Sequence, residues 1–396
     1  MRWKWHFGAP LVIAVLGLVV TTAGLATNLG QTSPARHGRA NAAAAGIGVP
    51  AGFTVRPFGT APAGLTNPDD ITRLDNHIFV TYQNNANADG TPAGAQSTVV
   101  EYASDGSVLN RWNLTGRCDG LTADPKSHQL LATLNEDANS SLDVIRPTAA
   151  PPDQIRPLAY SPDPASVSGG GTDALTILGG AIYVTASNPS STTAPAMFRL
   201  SIPKHGSTAF LKPLFADNAE ATQGNAGTTG TTALKLTDPD SNAAVPSSSP
   251  RFAHDLMLAS QADSQLVFAS RPGSHDPALT LLNLGGPQID DVRWADTSGG
   301  GLYVVDQKAD QIWVISGAFP AGAAYASIPA GSPLAGNVGR VDLNTGSVVP
   351  FATGLVSPKG LLYIGRAENE GEQQGGGDNN GQSGDQHDGN DNSSQH

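Results

Sequence analysis

The chain is 396 residues long and carries 34 Asp and Glu against 22 Lys and Arg, a formal net charge of −12. That balance argues against nucleic acid as a partner, which would call for a basic surface. A single cysteine, Cys118, excludes an intrachain disulfide, and 46 glycines with 29 prolines point to short elements and many turns rather than long helices.

Taken in chain order, residues 1–26 read as a signal peptide or membrane anchor. Arg2 and Lys4 precede the apolar heart Ala9–Val20, and small residues offer cleavage after Ala26. Continued to Leu25, the apolar stretch approaches the roughly 20 residues that span a bilayer. Either way the chain is expected to be exported, secreted or held at the cell envelope, and to touch the membrane only through this segment if it is uncleaved. Residues 27–47 read as a linker and 48–366 as the folded domain. Residues 367–396 form a tail with seven acidic residues and no Lys or Arg, too polar to bury the surface that ordering requires.

Within the folded domain a short motif recurs: an aspartate just before an apolar run. It appears as NPDDIT (Asp69), RCDGLT (Asp119), GTDALT (Asp173), AHDLML (Asp255) and QIDDVRW (Asp290), and SPKGLLYIG has Lys359 at the same place. The spacings are 50, 54, 82, 35 and 69 residues. β-Rich runs follow the aspartates, namely HIFVTYQ, QLLATLN, AIYVTAS, QLVFAS and GLYVVD. STVVEYA, SLDVI, AMFRLSI and QIWVIS read as third strands, and SVLNRWNL and STAFLKPLF as fourth, outer strands. The segments 217–250 and 317–337 read as low-complexity surface insertions.

Repetition of a four-strand antiparallel unit predicts an all-β fold, a β-propeller of six blades, with five or seven as alternatives. Little chain remains after SPKGLLYIG to finish the last blade, so GFTVRPFG (residues 52–59) is expected to supply its outer strand and close the ring. Radial arrangement then brings Asp69, Asp119, Asp173, Asp255 and Asp290 to one mouth of the central channel, with Lys359 closing the circle. Such a concentration of carboxylates is unfavourable unless water, hydrogen bonds or a cation neutralises it. Alternatively each aspartate caps its own strand by bonding backbone at the turn.

RCDGLTADPKSHQLLATLNED resembles the senescence marker protein/gluconolactonase-like (regucalcin-like) propellers, in which an Asn or Asp before a Gly at an inner-strand start binds a divalent cation. SPKGLLYIG and NPDDITRLDNHIFVTYQ are similar to the broader NHL and lactonase-like propeller group. The resemblance implies a metal site built from Asp69, Asp119, Asp173, Asp255 and Asp290, with Ca²⁺ the expected ion, and a lactonase or ester hydrolase activity with Asp119 as a candidate catalytic group; His254, which precedes Asp255, is a second candidate by its place in the sequence, as ligand or base. The family's first-blade glutamate ligand has no counterpart, since the first Glu of this chain is Glu101, in an outer strand.

Two functions follow from these residues. One is a metal-dependent hydrolase acting on a small-molecule substrate. The other is a non-catalytic envelope propeller that binds a ligand or partner protein. A monomer is expected in both cases. Cys118, beside Asp119, reads as a buried, inert thiol, because a neighbouring carboxylate raises a thiol's pKa.

Overall fold

The computed structural model describes residues 46–274 and 276–366. The expected signal or anchor, nearly all of the linker and the acidic tail lie outside the described residues. Among the described residues the only helical elements are Pro164–Val167 and the 3-10 turn Gln307–Ala309; 26 strands make up the rest of the regular structure. No helix there is long and apolar enough to cross a membrane.

The strands form a six-bladed β-propeller. The first blade runs outward through Pro68–Leu74, His77–Tyr82, Gln96–Tyr102 and Val108–Thr115. The second comprises Cys118–Asp124, Gln129–Leu134, Ser141–Ile145 and Ile155–Ser161, and the third Thr172–Leu178, Ala181–Ala186, Pro195–Ser201 and Thr208–Ala216. The outer strands of these two blades pair in parallel over Ala159–Ser161 and Thr208–Phe210, joining eight strands into one sheet. The fourth blade is built on Pro239–Ala244, Leu256–Ser260, Gln265–Ser270 and Ala278–Asn283, with Glu220–Gln223 and Thr231–Ala233 added outside.

The last two blades are interwoven. The fifth takes Val292–Trp294 as its inner strand, yet its next strands are Ala324–Ile328, Asn337–Val341 and Val348–Ala352. The hairpin between, Gly300–Asp306 with Gln311–Gly317, belongs to the sixth blade. There it pairs with the chain's last strand, Pro358–Gly365, on one side and its first, Thr54–Thr60, on the other. The N-terminal strand therefore closes the ring, as expected from the sequence.

Burial explains why these runs are strands. Second and third strands have neighbouring blades on both faces, so they read as unbroken apolar runs: all of Ile78–Tyr82 and of Leu130–Leu134 is buried. The outer strand Val108–Thr115 buries only Trp112 and Leu114. Six apolar clusters fill the six gaps between successive blades. In the gap where the ring closes, Phe58 of the N-terminal strand packs edge-on against Tyr102 of the first blade and Tyr303 of the sixth.

Three expectations are corrected. The segment 217–250 is no surface insertion: it holds two outer strands and the inner strand of the fourth blade, Pro239–Ala244. The segment 317–337 likewise contains the buried strand Ala324–Ile328. AHDLML forms the second strand of its blade, QLVFAS the third, and GLYVVD and QIWVIS serve the sixth blade rather than the fifth.

Candidate functional site

Inner strands bulge where they meet the mouth of the channel. Pairing shifts between Pro68 and Ile71, Cys118 and Leu121, Thr172 and Leu175, and Pro239 and Asn242, and between the partners of Pro358 and Leu361. A bulge inserts an extra residue and re-aims its side chain. Hydroxyls on the second strand accept the freed backbone N–H: Thr81 from Asp70, Thr133 from Gly120 and Ser327 from Asp291, each at 2.9 Å. The residues thus placed around one cavity of about 220 Å³ include Asp69, Asp119, Asp173, Asp240, Asp290 and Lys359.

The ring is therefore close to the expected one with one substitution. Asp240 occupies the fourth position, and Asp255 does not reach the mouth. Asp255 precedes the second strand of its blade, at the opposite end of the sheet, where its N–H donates to the Phe252 carbonyl. His254 sits in the same hairpin, exposed and with a positive φ of 70°. Neither lines the cavity, so His254 has no geometry for a catalytic role beside Asp119. The misassignment has a simple cause: the true inner strand, PDSNAA, carries no large apolar residue, whereas the strand after Asp255 does.

Residues next to the ring positions decide how tightly the blades close. They are Asp70, Gly120, Ala174, Ser241, Asp291 and Gly360 in ring order. A Cβ on Gly120 would lie 2.7 Å from the Asp173 carbonyl oxygen, and one on Gly360 would lie 2.5 Å from that of Asp69. Gly is required there because the neighbouring inner strand occupies the space. Where Asp stands instead, it staples blades together. Asp70 accepts from the N–H of Ile71 in its own blade and, at 2.7 Å, from that of Leu121 in the next. Asp291 accepts from Val292, from the Ser241 hydroxyl and from the N–H of Leu361, spanning the fourth, fifth and sixth blades. The capping role considered for the repeated aspartates thus falls to these neighbours.

The ring carboxylates are linked by amides that end the second strands. Gln307 Nε2 donates to Asp69 at 2.8 Å and to the side-chain Oε1 of Gln83 at 3.2 Å, and Gln83 Nε2 donates to Asp119 Oδ1 at 2.9 Å. Gln261 Nε2 bridges Asp240 at 2.6 Å and Asp290 at 3.0 Å. Lys359 Nζ donates to the same Asp290 oxygen. Arg117 lies 2.8 Å from Asp119 and 3.3 Å from Glu136, and Arg293 lies 3.1 Å from Asp291. Asp173 and Asp240, on the adjoining inner strands of the third and fourth blades, also face the cavity.

Nine carboxyl groups and three cationic side chains line this cavity. Burial, then the attraction of Lys359 acting against it, sets Asp69 at about 7. Burial and the nearby Asp291 push Asp70 up to about 8. Burial also raises Asp119, Asp173 and Asp240 well above the usual carboxylate range, reinforced by Glu136, Asp240 and Asp290 respectively. One atom stands out: Asp119 Oδ2 is buried and has no hydrogen-bond partner, while Oδ1 of the same group has two cationic or amide neighbours. Among the described residues, no three His, Cys, Asp or Glu side chains converge tightly enough to hold a metal ion as they stand. Cys118 is fully buried and its thiol is pushed up by burial and by Asp119, as expected for an inert group.

Much of this site was missed by motif reading: Asp240, the amides Gln83, Gln261 and Gln307, and the acids Glu136 and Asp238. The doublets Asp69-Asp70 and Asp290-Asp291 and the D-x-D of Asp238 and Asp240 were visible signals. So was the recurrence of an amide directly after a second strand.

No protein-family model matches the sequence, and no curated protein matches it. Among solved structures, the chain is similar to the periplasmic gluconolactonase of Pseudomonas aeruginosa, at 12% identity over 75% of this chain and 88% of that one, TM-score 0.40. It is similar to a protein from Lactobacillus plantarum at 10% identity over 76% and 89%, TM-score 0.42. Streptogramin B lyase shares 8% identity over 66% and 97%, TM-score 0.32.

Proposed function

We propose that this chain is an exported propeller whose acidic mouth takes up a hard divalent cation, with Ca²⁺ the best chemical match. The observation that carries this reading is Asp119 Oδ2, a buried carboxylate oxygen left without a partner in a cavity where carboxyl groups outnumber cations three to one. An unpaired buried acceptor is costly, and an all-oxygen donor set suits Ca²⁺, which takes 6–8 such ligands. Asp119, Asp69, Asp173 and Asp240 are the residues that would hold it, with Gln83 and Gln261 supplying neutral oxygens. Export rests on the basic start and apolar heart of residues 1–26.

A bound divalent ion supplies Lewis acidity toward a carbonyl oxygen and lowers the pKa of its water. The chain's own contribution would be positional. Arg117 and Arg293 stand at the cavity wall, where they can orient an anionic substrate, and Asp173 and Asp240, held well above the usual carboxylate range by burial, are the groups suited to carry a proton. On this reading the activity is hydrolysis of a lactone or ester.

The second reading is a non-catalytic envelope propeller that binds a ligand or protein at this mouth. It is favoured by the lack of three converged ligands and by Glu101, which faces His77 at 2.5 Å instead of lining the cavity. Metal analysis of the purified chain followed by a lactone panel tests both. Stoichiometric calcium with turnover supports the first, calcium without turnover the second, and no metal uptake at any pH removes the cation site.

A further inference from the structure

At the end of the propeller opposite the mouth, a second cavity of about 440 Å³ opens between the second and third blades. Its walls are apolar, from Leu131, Ile182 and Ile202, and its polar groups include Arg146, Arg156 and Lys204. A cluster of three cations is unexpected in a chain this acidic. The one acid beside it, Asp124, is already engaged, accepting from the Lys126 N–H and the Ser127 hydroxyl. Among the described residues none of the three cations is ion-paired.

Two of the cations are set in place by the fold. Arg156, on the outer strand of the second blade, donates to the carbonyls of Pro203 at 3.0 Å and Lys204 at 2.9 Å, which ties it to the third blade. Arg146 directly follows the third strand of the second blade, and its Nε is buried without any hydrogen-bond partner. A buried guanidinium N–H with no acceptor is costly, and the part of the Arg146 fork that lines the cavity is the part a ligand can reach. A planar guanidinium offers its N–H groups in a fork that matches an oxyanion.

We propose that this cavity binds a small organic anion, a carboxylate carrying an apolar body, whose head pairs with Arg146 and Lys204 and whose body lies against Leu131, Ile182 and Ile202. Charge selects the head, and the walls select the body. This site is independent of the cation at the mouth, from which the whole length of the inner strands separates it.

The test is thermal melting and calorimetric titration of the full chain in chelator with hexanoate, hexanol and inorganic phosphate. Hexanoate is expected to raise the melting temperature saturably, and hexanol and phosphate to do so at least tenfold less effectively. Arg146→Met should abolish the hexanoate response while leaving the unligated protein as stable as before, because it removes an unpaired donor and keeps the stem. Lys204→Met, at an exposed position, should weaken binding severalfold. No saturable response to hexanoate, an equal response to hexanol or phosphate, or an undiminished response in Arg146→Met would each overturn the proposal.

Discussion

Asp173 and Asp240 line the same cavity from the adjoining inner strands of the third and fourth blades, and burial together with the charge of Asp240 holds the Asp173 carboxyl well above the usual carboxylate range. The mouth therefore neutralises part of its charge with protons. A cation that enters must displace them, which makes cation binding and pH a single coupled equilibrium.

The sign follows from the raised values of Asp69, about 7, and Asp70, about 8. A carboxyl whose folded pKa lies above its unfolded one contributes stability below about pH 4, lost as pH rises through the folded value. In chelator the melting temperature should fall between pH 5.5 and 8.5. Added Ca²⁺ should offset that fall, and its stabilisation should grow with pH, reaching about 2.7 kcal/mol at 100 times its dissociation constant. Melting curves at three pH values with chelator and with calcium check this; a calcium effect that shrinks with rising pH would contradict the displacement of protons.

Asp119→Asn removes charge while keeping an oxygen for the amide of Gln83. Without metal it should change stability by no more than about 1 kcal/mol, in the stabilising direction if mutual repulsion dominates. With calcium it should lose most of the stabilisation seen in the parent. Isothermal titration of both proteins gives the comparison.

Gly360→Ala should destabilise the fold by about 1–3 kcal/mol, since its methyl group would meet the first blade's backbone rather than a movable side chain. Gly227→Ala, a turn glycine with open space around its Cβ position but a φ of +85°, separates crowding from backbone strain. Urea titration of the two variants should show the loss at Gly360 accompanied by weaker calcium binding, and none of that second effect at Gly227.

Phe58→Ala should cost about 3–5 kcal/mol, because it empties the aromatic contact that closes the ring. Val349→Ala, on the exposed outer strand of the fifth blade, should cost less than about 0.5 kcal/mol. Similar losses in the two would argue that the N-terminal strand contributes little to closure.

The propeller was legible because second and third strands are buried on both faces and so keep unbroken apolar runs such as HIFVTY and QLLATL. Ring closure was legible from a simple shortage of chain. The fourth inner strand was not, because PDSNAA relies on small residues and on Asn242, which donates to the Ala174 carbonyl and the Thr185 hydroxyl instead of packing an apolar side chain. The apolar run after Asp255 mimicked the motif at the wrong end of a hairpin. The exchange of strands between the last two blades leaves no mark on local pattern at all, since GLYVVD would pair equally well with either inner strand by its own composition. Within the site, the aspartates announced themselves by repetition, whereas the glutamines that join them recur at the ends of second strands and can be recognised only when each strand is given its right place in the blade, which the misreading of AHDLML prevented for Gln261.

The weaving of the fifth and sixth blades has a consequence for how this molecule is made. The hairpin Gly300–Gly317 is synthesised before its inner partner Pro358–Gly365 exists, and the fifth blade gains its second strand only after that hairpin has been set aside. The fifth blade has all four of its strands by Ala352, but the sixth cannot complete itself until the last strand is made, and it must also recruit Thr54–Thr60, synthesised about 250 residues before its partner strand. Completion of the sixth blade, and with it closure of the ring, is thus deferred until the last strand is available. On the export route proposed above, such a delay is an advantage: the edges of the sixth blade stay unpaired until the whole sequence has arrived.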